Sequence, residues 1–192
     1  MPKGATTVKK NRIEPKIALT IFVHGYKNIP FVVTDSAGVI KHMTDVSHIG
    51  TNYAIRRSVI AKIIELVELY EVDTLILTQN KLFVDKVDRY PDPLVLRDIM
   101  LGYGIQVSVE DNFYTQLDIL AIPDYEWKNL ILGKGARYSI DLFKSHVLHR
   151  TDIPKKQMVL IDTNNYYEAV CLSESVLFDN LMQRKYQINK GD

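Results

Sequence analysis

The chain has 192 residues, 46% hydrophobic and 24% charged, which suits one compact domain and excludes wholesale disorder. Its one cysteine, Cys171, excludes an internal disulfide framework and a cysteine-rich zinc site. The formal net charge is only +1, which taken alone argues against a polyanion partner.

Residues 1–15 read as a flexible basic arm, residues 16–185 as one domain and residues 186–192 as a tail. The first strand places Ile17, Leu19, Ile21 and Val23 on one face and Ala18, Thr20 and Phe22 on the other. Both faces are mostly apolar, as in a central strand. Phe31–Thr34 predicts a second strand, Asp35-Ser36-Ala37-Gly38 a turn and Val39–Asp45 a third strand, together an antiparallel meander. Thr51 is placed to cap a helix in which Ile55, Val59, Ile63, Val67 and Tyr70 recur by three or four. Asp73–Thr78 is a short apolar run after a helix and predicts a buried parallel strand. Lys81–Tyr90 reads as a loop. Pro91-Asp92-Pro93 opens a predicted helix over Leu94–Tyr103, Gly104 closes it, and Ile105–Val109 is the next predicted strand. Asn112–Leu120 leads to a predicted helix over Asp124–Leu132. After Gly133-Lys134-Gly135 a helix over Ser139–His149 is expected. Asp152-Ile153-Pro154 breaks the chain, and residues 161–183 predict one long last helix.

The small net charge hides an uneven distribution. Residues 1–16 carry Lys3, Lys9, Lys10, Arg12 and Lys16 against Glu14, a balance of +4. Residues 128–156 carry Lys128, Lys134, Arg137, Lys144, Arg150, Lys155 and Lys156 against Asp141 and Asp152, a balance of +5. The remainder holds 12 basic and 20 acidic residues. Two basic segments on an acidic body mark either a polyanion-binding face or a solvated surface with clustered charge.

The segment from Trp127 to Arg137 joins a lysine, an apolar stretch and Gly133-Lys134-Gly135 to the start of a helix. Backbone N–H groups at such a turn, with Lys134 or Arg137, suit a phosphate; a plain helix-to-helix turn has the same residues. The segment lacks both the Walker ending and the third glycine of a dinucleotide fingerprint. It resembles the corresponding segment of the RuvC-type Holliday junction resolvases. Lys128, Gly133 and Gly135 match, Ala136-Arg137 inverts the family's order, and Ser139 stands where the family has lysine. The order of elements over residues 16–180 resembles that family too. The resemblance implies an α/β, ribonuclease H-like mixed sheet of three antiparallel strands followed by two parallel ones, flanked by helices.

The family's catalytic acids fall here on Val23, Gln79, Asn165 and Glu168. Two-ion phosphodiester hydrolysis needs clustered carboxylates, and magnesium needs anionic oxygen ligands in near-octahedral order. Only Glu168 keeps an acid. The resemblance therefore implies a nucleic-acid-binding domain without nuclease activity, a pseudoenzyme that needs no metal or other cofactor. Lys128, Lys134, Arg137, Lys144, Arg150, Lys155 and Lys156 would meet the phosphates of branched or duplex DNA. It also implies a homodimer. A second reading is an active structure-specific endonuclease using Mg2+ on Glu168 with Asp162, Asp111 or Asp35. A third is a scaffold subunit of a larger protein assembly.

Other residues have two readings each. Asp35 is an expected turn residue, Glu110 and Asp111 follow a predicted strand, and Asp162, Thr163 or Asn164 suits a helix cap. His24 reads as a ligand or a surface histidine. His146 and His149 sit three apart, and a third ligand is not evident. Cys171 reads as core. Tyr125, Trp127, Tyr166 and Tyr167 suit either base stacking or burial. No apolar run nears the ~18 residues of a membrane span, and no signal-peptide core follows Met1. A reducing compartment, cytoplasm or nucleoid, is the expectation.

Overall fold

The computed structural model describes residues 15–23, 28–78, 118–122, 124–133, 135, 137 and 139–188. The first three strands are β1 (Ile17–Ile21), β2 (Asn28–Asp35) and β3 (Ile40–Ser47). They form the expected meander: Leu19 faces Val33 across β1–β2, and Val32 faces Met43 across β2–β3, both antiparallel. The register slips between Val33 and Thr34, a local bulge that adds twist at the strand end. The turn between β2 and β3 is held by Asp35, whose carboxylate accepts from the N–H groups of Ala37 and Val39.

Helix α1 spans Asn52–Tyr70. Thr51 is its N-cap as predicted, with Oγ1 accepting from the Ala54 N–H at 3.2 Å. The helix ends at Glu71, which takes a left-handed conformation (φ 53°) and donates its N–H to the Val67 carbonyl. Strand β4 (Thr74–Thr78) then runs parallel to β1. Asp73 joins the starts of these two strands: its carboxylate accepts from the Lys16 N–H, and its own N–H donates to the Ile17 carbonyl. Strand β5 (Asp118–Ile122) is parallel to β4. The sheet order is β3-β2-β1-β4-β5, three antiparallel strands followed by two parallel ones as expected.

Two assignments change. The second parallel strand of the sheet is Asp118–Ile122, a segment without an assigned element in the sequence reading. Lys81–Tyr90, Leu94–Tyr103 and Ile105–Val109 lie outside the described residues. The expected single helix over residues 161–183 is two. After α2 (Asp124–Leu132) and α3 (Ile140–Leu148) come α4 (Lys155–Asn164) and α5 (Tyr167–Ile188). Asn165 separates them in a left-handed conformation (φ 58°), with its N–H and that of Tyr166 both donating to the Ile161 carbonyl. Asparagine is among the few residues that adopt this conformation at small cost.

The sheet is covered on both faces. Leu19, Ile21, Phe31, Val33 and Leu75 pack on Val59, Ile60, Ile63 and Leu66 of α1. Ala18, Phe22, Val32 and Ile76 pack on Trp127, Phe143, Val147 and the buried side of α5. The period-two alternation of β1 thus feeds two cores, and Thr20 in its middle is wholly buried. Among the described residues, no helix is long and apolar enough to cross a membrane.

Candidate functional site

A cavity of about 280 Å³ opens where the chain leaves β1, beside the beginnings of β2 and α5. Phe22, just past β1, donates its N–H to the Pro30 carbonyl at 3.3 Å. Its ring meets Trp127 edge-on at 5.7 Å, and Trp127 in turn packs on Phe143 at 5.1 Å. Phe22 and Ala169 give the cavity apolar wall, and Asn28 and Pro30 of β2 give another side. Thr163, Asn164 and Asn165 enter from the α4–α5 junction, and Glu168 from the first turn of α5.

The junction is held from both sides. The Tyr166 hydroxyl donates to Asp45 on β3, and the Tyr167 hydroxyl donates to Asp162 on α4. Burial raises both phenol pKa values, and the carboxylate partners raise them further. Both side chains are fixed proton donors across the physiological range. Both rings are buried, so they take the core reading and not the stacking one, as does Trp127. The side chain of Tyr125 lies outside the described residues.

Glu168 is 3% exposed. A carboxylate in the first helical turn is favoured by the helix dipole. Among the described residues it is the one acid in the cavity lining; the other described polar groups there are three amides and a hydroxyl. Two divalent ions need several anionic oxygens, and the donor set of the described residues does not supply them. Among the described residues no group of three or more His, Cys, Asp or Glu comes together as a metal cluster.

No protein-family model and no curated protein matches this chain. The structure of Thermus thermophilus RuvC is similar to it, at 11% identity over 86% of this chain and 96% of that one, with a TM-score of 0.51. The fold is RuvC-like and ribonuclease H-like. Two further structures are similar: T. thermophilus RuvC in complex with a Holliday junction substrate (8% identity, 86% and 95% covered, TM-score 0.47) and the yeast mitochondrial Holliday junction resolvase Ydc2 (12%, 83% and 75%, 0.43).

In this RuvC-like fold, Asn165 and Glu168 come together at the cavity. Val23 does not join them, because it packs against the α1-side core; the residue that β1 directs toward α5 is Phe22. Period-two alternation carried that signal, since Phe22 and Val23 must face opposite ways. Gln79, His24, Glu110 and Asp111 lie outside the described residues. Asp35 is engaged in its turn: burial works against its charge, but the Val39 and Ala37 N–H groups and Lys41 outweigh it and lower its pKa. Asn28, Thr163 and Asn164 were not singled out for this cavity by sequence, because long-range packing assembles them.

The basic residues differ in how freely they face solvent. Arg137, Lys155 and Lys156 are exposed. Lys144 is exposed but lies 3.7 Å from Asp162 and over the Tyr167 ring. Lys128 is half-buried with its ammonium 5.6 Å from the Trp127 ring centre. Arg150 is held by Asp152 at 2.5 and 2.9 Å and by Glu174 at 3.4 Å. His146 also meets Glu174, so it belongs to an ion-pair cluster and not to a metal pair with His149, whose Nδ1 lies 2.6 Å from the Ser145 carbonyl oxygen. Lys134 lies outside the described residues. Cys171 is wholly buried, and burial raises its thiol pKa, as a core cysteine requires.

Proposed function

We propose that this chain is a nucleic-acid-binding RuvC-like domain that holds branched or duplex DNA without cutting it. The observation that carries the reading is the donor set at the junction of β1 and α5. Among the described residues one carboxylate, Glu168, stands with amides, a hydroxyl and apolar side chains, where two-ion hydrolysis needs an anionic cluster. Fewer acids also mean less repulsion of phosphates. Arg137, Lys155 and Lys156, exposed on one basic stretch of chain, make the phosphate contacts, and Lys128, Lys134 and Lys144 of the same stretch of sequence add to its charge. Arg150 contributes charge to the surface while its fork stays with Asp152 and Glu174.

The test is a four-way junction and a blunt duplex titrated against the full chain at several salt concentrations, then incubated with magnesium or manganese. Binding that weakens steeply with salt, with no cleavage, is the expected result. Clean cutting of the junction that disappears in Glu168→Gln would overturn the reading in favour of an endonuclease. Absence of binding, with a stable protein partner recovered instead, would overturn it in favour of a scaffold subunit.

A further inference from the structure

Helix α4 presents an outward face whose side chains do little for the helix itself. Successive helical residues turn by about 100°, which places Lys155, Val159, Lys156 and Leu160 within one arc of about 140°, opposite the buried Ile161. All four are exposed. Val159 is 59% exposed and Leu160 40%, and among the described residues they are the one sequence-adjacent pair of exposed large aliphatic side chains. In water they forgo burial that would stabilise the fold. The two lysines lie in the first turn of α4, which holds no acid, so their charges oppose the helix dipole. Local rules broken side by side, with no gain to the fold, mark a surface kept for a partner.

Charge and size decide which partner fits. Lys155 and Lys156 stand one turn before the aliphatic pair, so the partner carries anionic groups beside an apolar surface. Along α4 the pair is bounded by those lysines and by Asp162 and Thr163, all exposed. The apolar patch that the helix offers is therefore two side chains. A stable protein interface buries about 800 Å² on each partner, and an interfacial membrane helix needs a broad apolar face. A wedge between neighbouring base pairs needs only one or two aliphatic side chains, with cations for the flanking phosphates. It also needs a firm base. Here Ile161 is buried, Gln157 Nε2 donates to the Ile40 carbonyl at 2.9 Å, and the Tyr166 hydroxyl ties the α4–α5 junction to Asp45.

We propose that Val159 and Leu160 form a wedge that enters the stack of base pairs at the branch point of a bound DNA junction, with Lys155 and Lys156 on the adjacent phosphates. Stacking is already interrupted at a branch point, so opening a step there costs less than inside a duplex. The wedge rests on the DNA-binding reading above and adds a device by which branched DNA is preferred to uniform duplex.

A four-way junction with 2-aminopurine at the branch point, and a blunt duplex with 2-aminopurine at its middle, are titrated with the full chain. This base analogue brightens when it is unstacked. The native chain is expected to raise the branch-point signal and not the mid-duplex one. Val159→Gln with Leu160→Gln, checked by melting temperature, is expected to abolish that rise and to cut the preference for junction over duplex roughly tenfold, the scale of burying one aliphatic side chain. Lys155→Gln with Lys156→Gln weakens both DNAs. If the native chain binds both DNAs without the branch-point rise, the wedge falls and the DNA-binding reading stands. The same holds if the aliphatic variant keeps the native preference, or weakens both DNAs equally. If neither DNA binds the native chain, that reading falls and the wedge with it. Self-association, or adsorption to phosphatidylserine vesicles, that the aliphatic variant loses while keeping its junction preference would give the face to a second copy or to a membrane and overturn the wedge. Should the aliphatic variant not fold, the branch-point signal of the native chain decides alone.

Discussion

Thr20 shows how a single side chain can work against its surroundings. It sits in the middle of β1, wholly buried, and its Oγ1 has no hydrogen-bond partner among the described residues. A buried hydroxyl without a partner forfeits its hydration and recovers nothing. Valine has nearly the same shape and no polar atom, and its β-propensity is high. Thr20→Val is therefore expected to raise stability by about 1 kcal/mol, read as a higher urea midpoint at unchanged slope. A lower midpoint would mean that an ordered water satisfies the hydroxyl. Thr34, also buried, differs because its hydroxyl meets Ser173 at 3.1 Å, so the same substitution there leaves Ser173 short of a partner and is expected to destabilise.

At the scale of elements, α3 and α5 are joined by more than apolar packing. His146 Nε2 lies 3.0 and 3.1 Å from the two Glu174 oxygens, and Arg150 bridges Glu174 to Asp152. The hydrogen bond to Glu174 raises the His146 pKa above 6.5; desolvation and Arg150 oppose it. A raised folded-state value means that the protonated ring favours the folded state. That contribution is complete below about pH 6.5, the unfolded value, and disappears as pH climbs through the raised one. Asp152 behaves oppositely: the Arg150 hydrogen bond lowers its pKa below 3.8, so its share is lost only in acid. The melting-temperature advantage of the native chain over His146→Gln should thus be largest near pH 6 and shrink toward pH 8. An advantage that does not change with pH would contradict this, as would an NMR titration of the ring below 6.5. The individual elements themselves were mostly legible in the sequence. Thr51 and the apolar spacing of α1 located that helix because cap and periodicity agreed. The α4–α5 break was not legible, because Leu160, Ile161, Ala169 and Val170 continue a helical apolar pattern through it. The break is made by one backbone conformation at Asn165, which periodicity does not register. β5 was missed because Asp118–Ile122 is five residues long and, unlike the equally short β4, does not follow a predicted helix that would mark it off.

At the scale of the whole molecule, the described residues form a RuvC-like sheet between two helical layers, and the proposed DNA binding depends on how charge is spread over that frame. The order β1 to β4 was legible because each of those strands needed only local patterning. The cavity was legible only in part: Glu168 and Asn165 stood out by their spacing, whereas Phe22 and Asn28 reach it through sheet register and Thr163 through the helix break at Asn165. Charge was legible as number and not as availability. Seven basic residues lie between 128 and 156, yet Arg150 is 17% exposed in its side chain and fastened to two carboxylates, and Lys144 is opposed by Asp162. Lys155 and Lys156, on the first turn of α4, are exposed. Each phosphate neutralised on B-DNA adds about 0.9 to the slope of log affinity against log salt. Replacing Lys155 and Lys156 together by glutamine should therefore lower that slope by about 2 and weaken binding to all duplex sequences alike. Arg150→Gln should change the slope little but lower the melting temperature, since it leaves Glu174 and Asp152 without their cation. Fluorescence anisotropy with one labelled duplex across a salt series measures both slopes. An unchanged slope in the double lysine variant would remove α4 from the DNA-binding face, and a large loss of slope in Arg150→Gln would mean that DNA displaces Asp152 from the guanidinium.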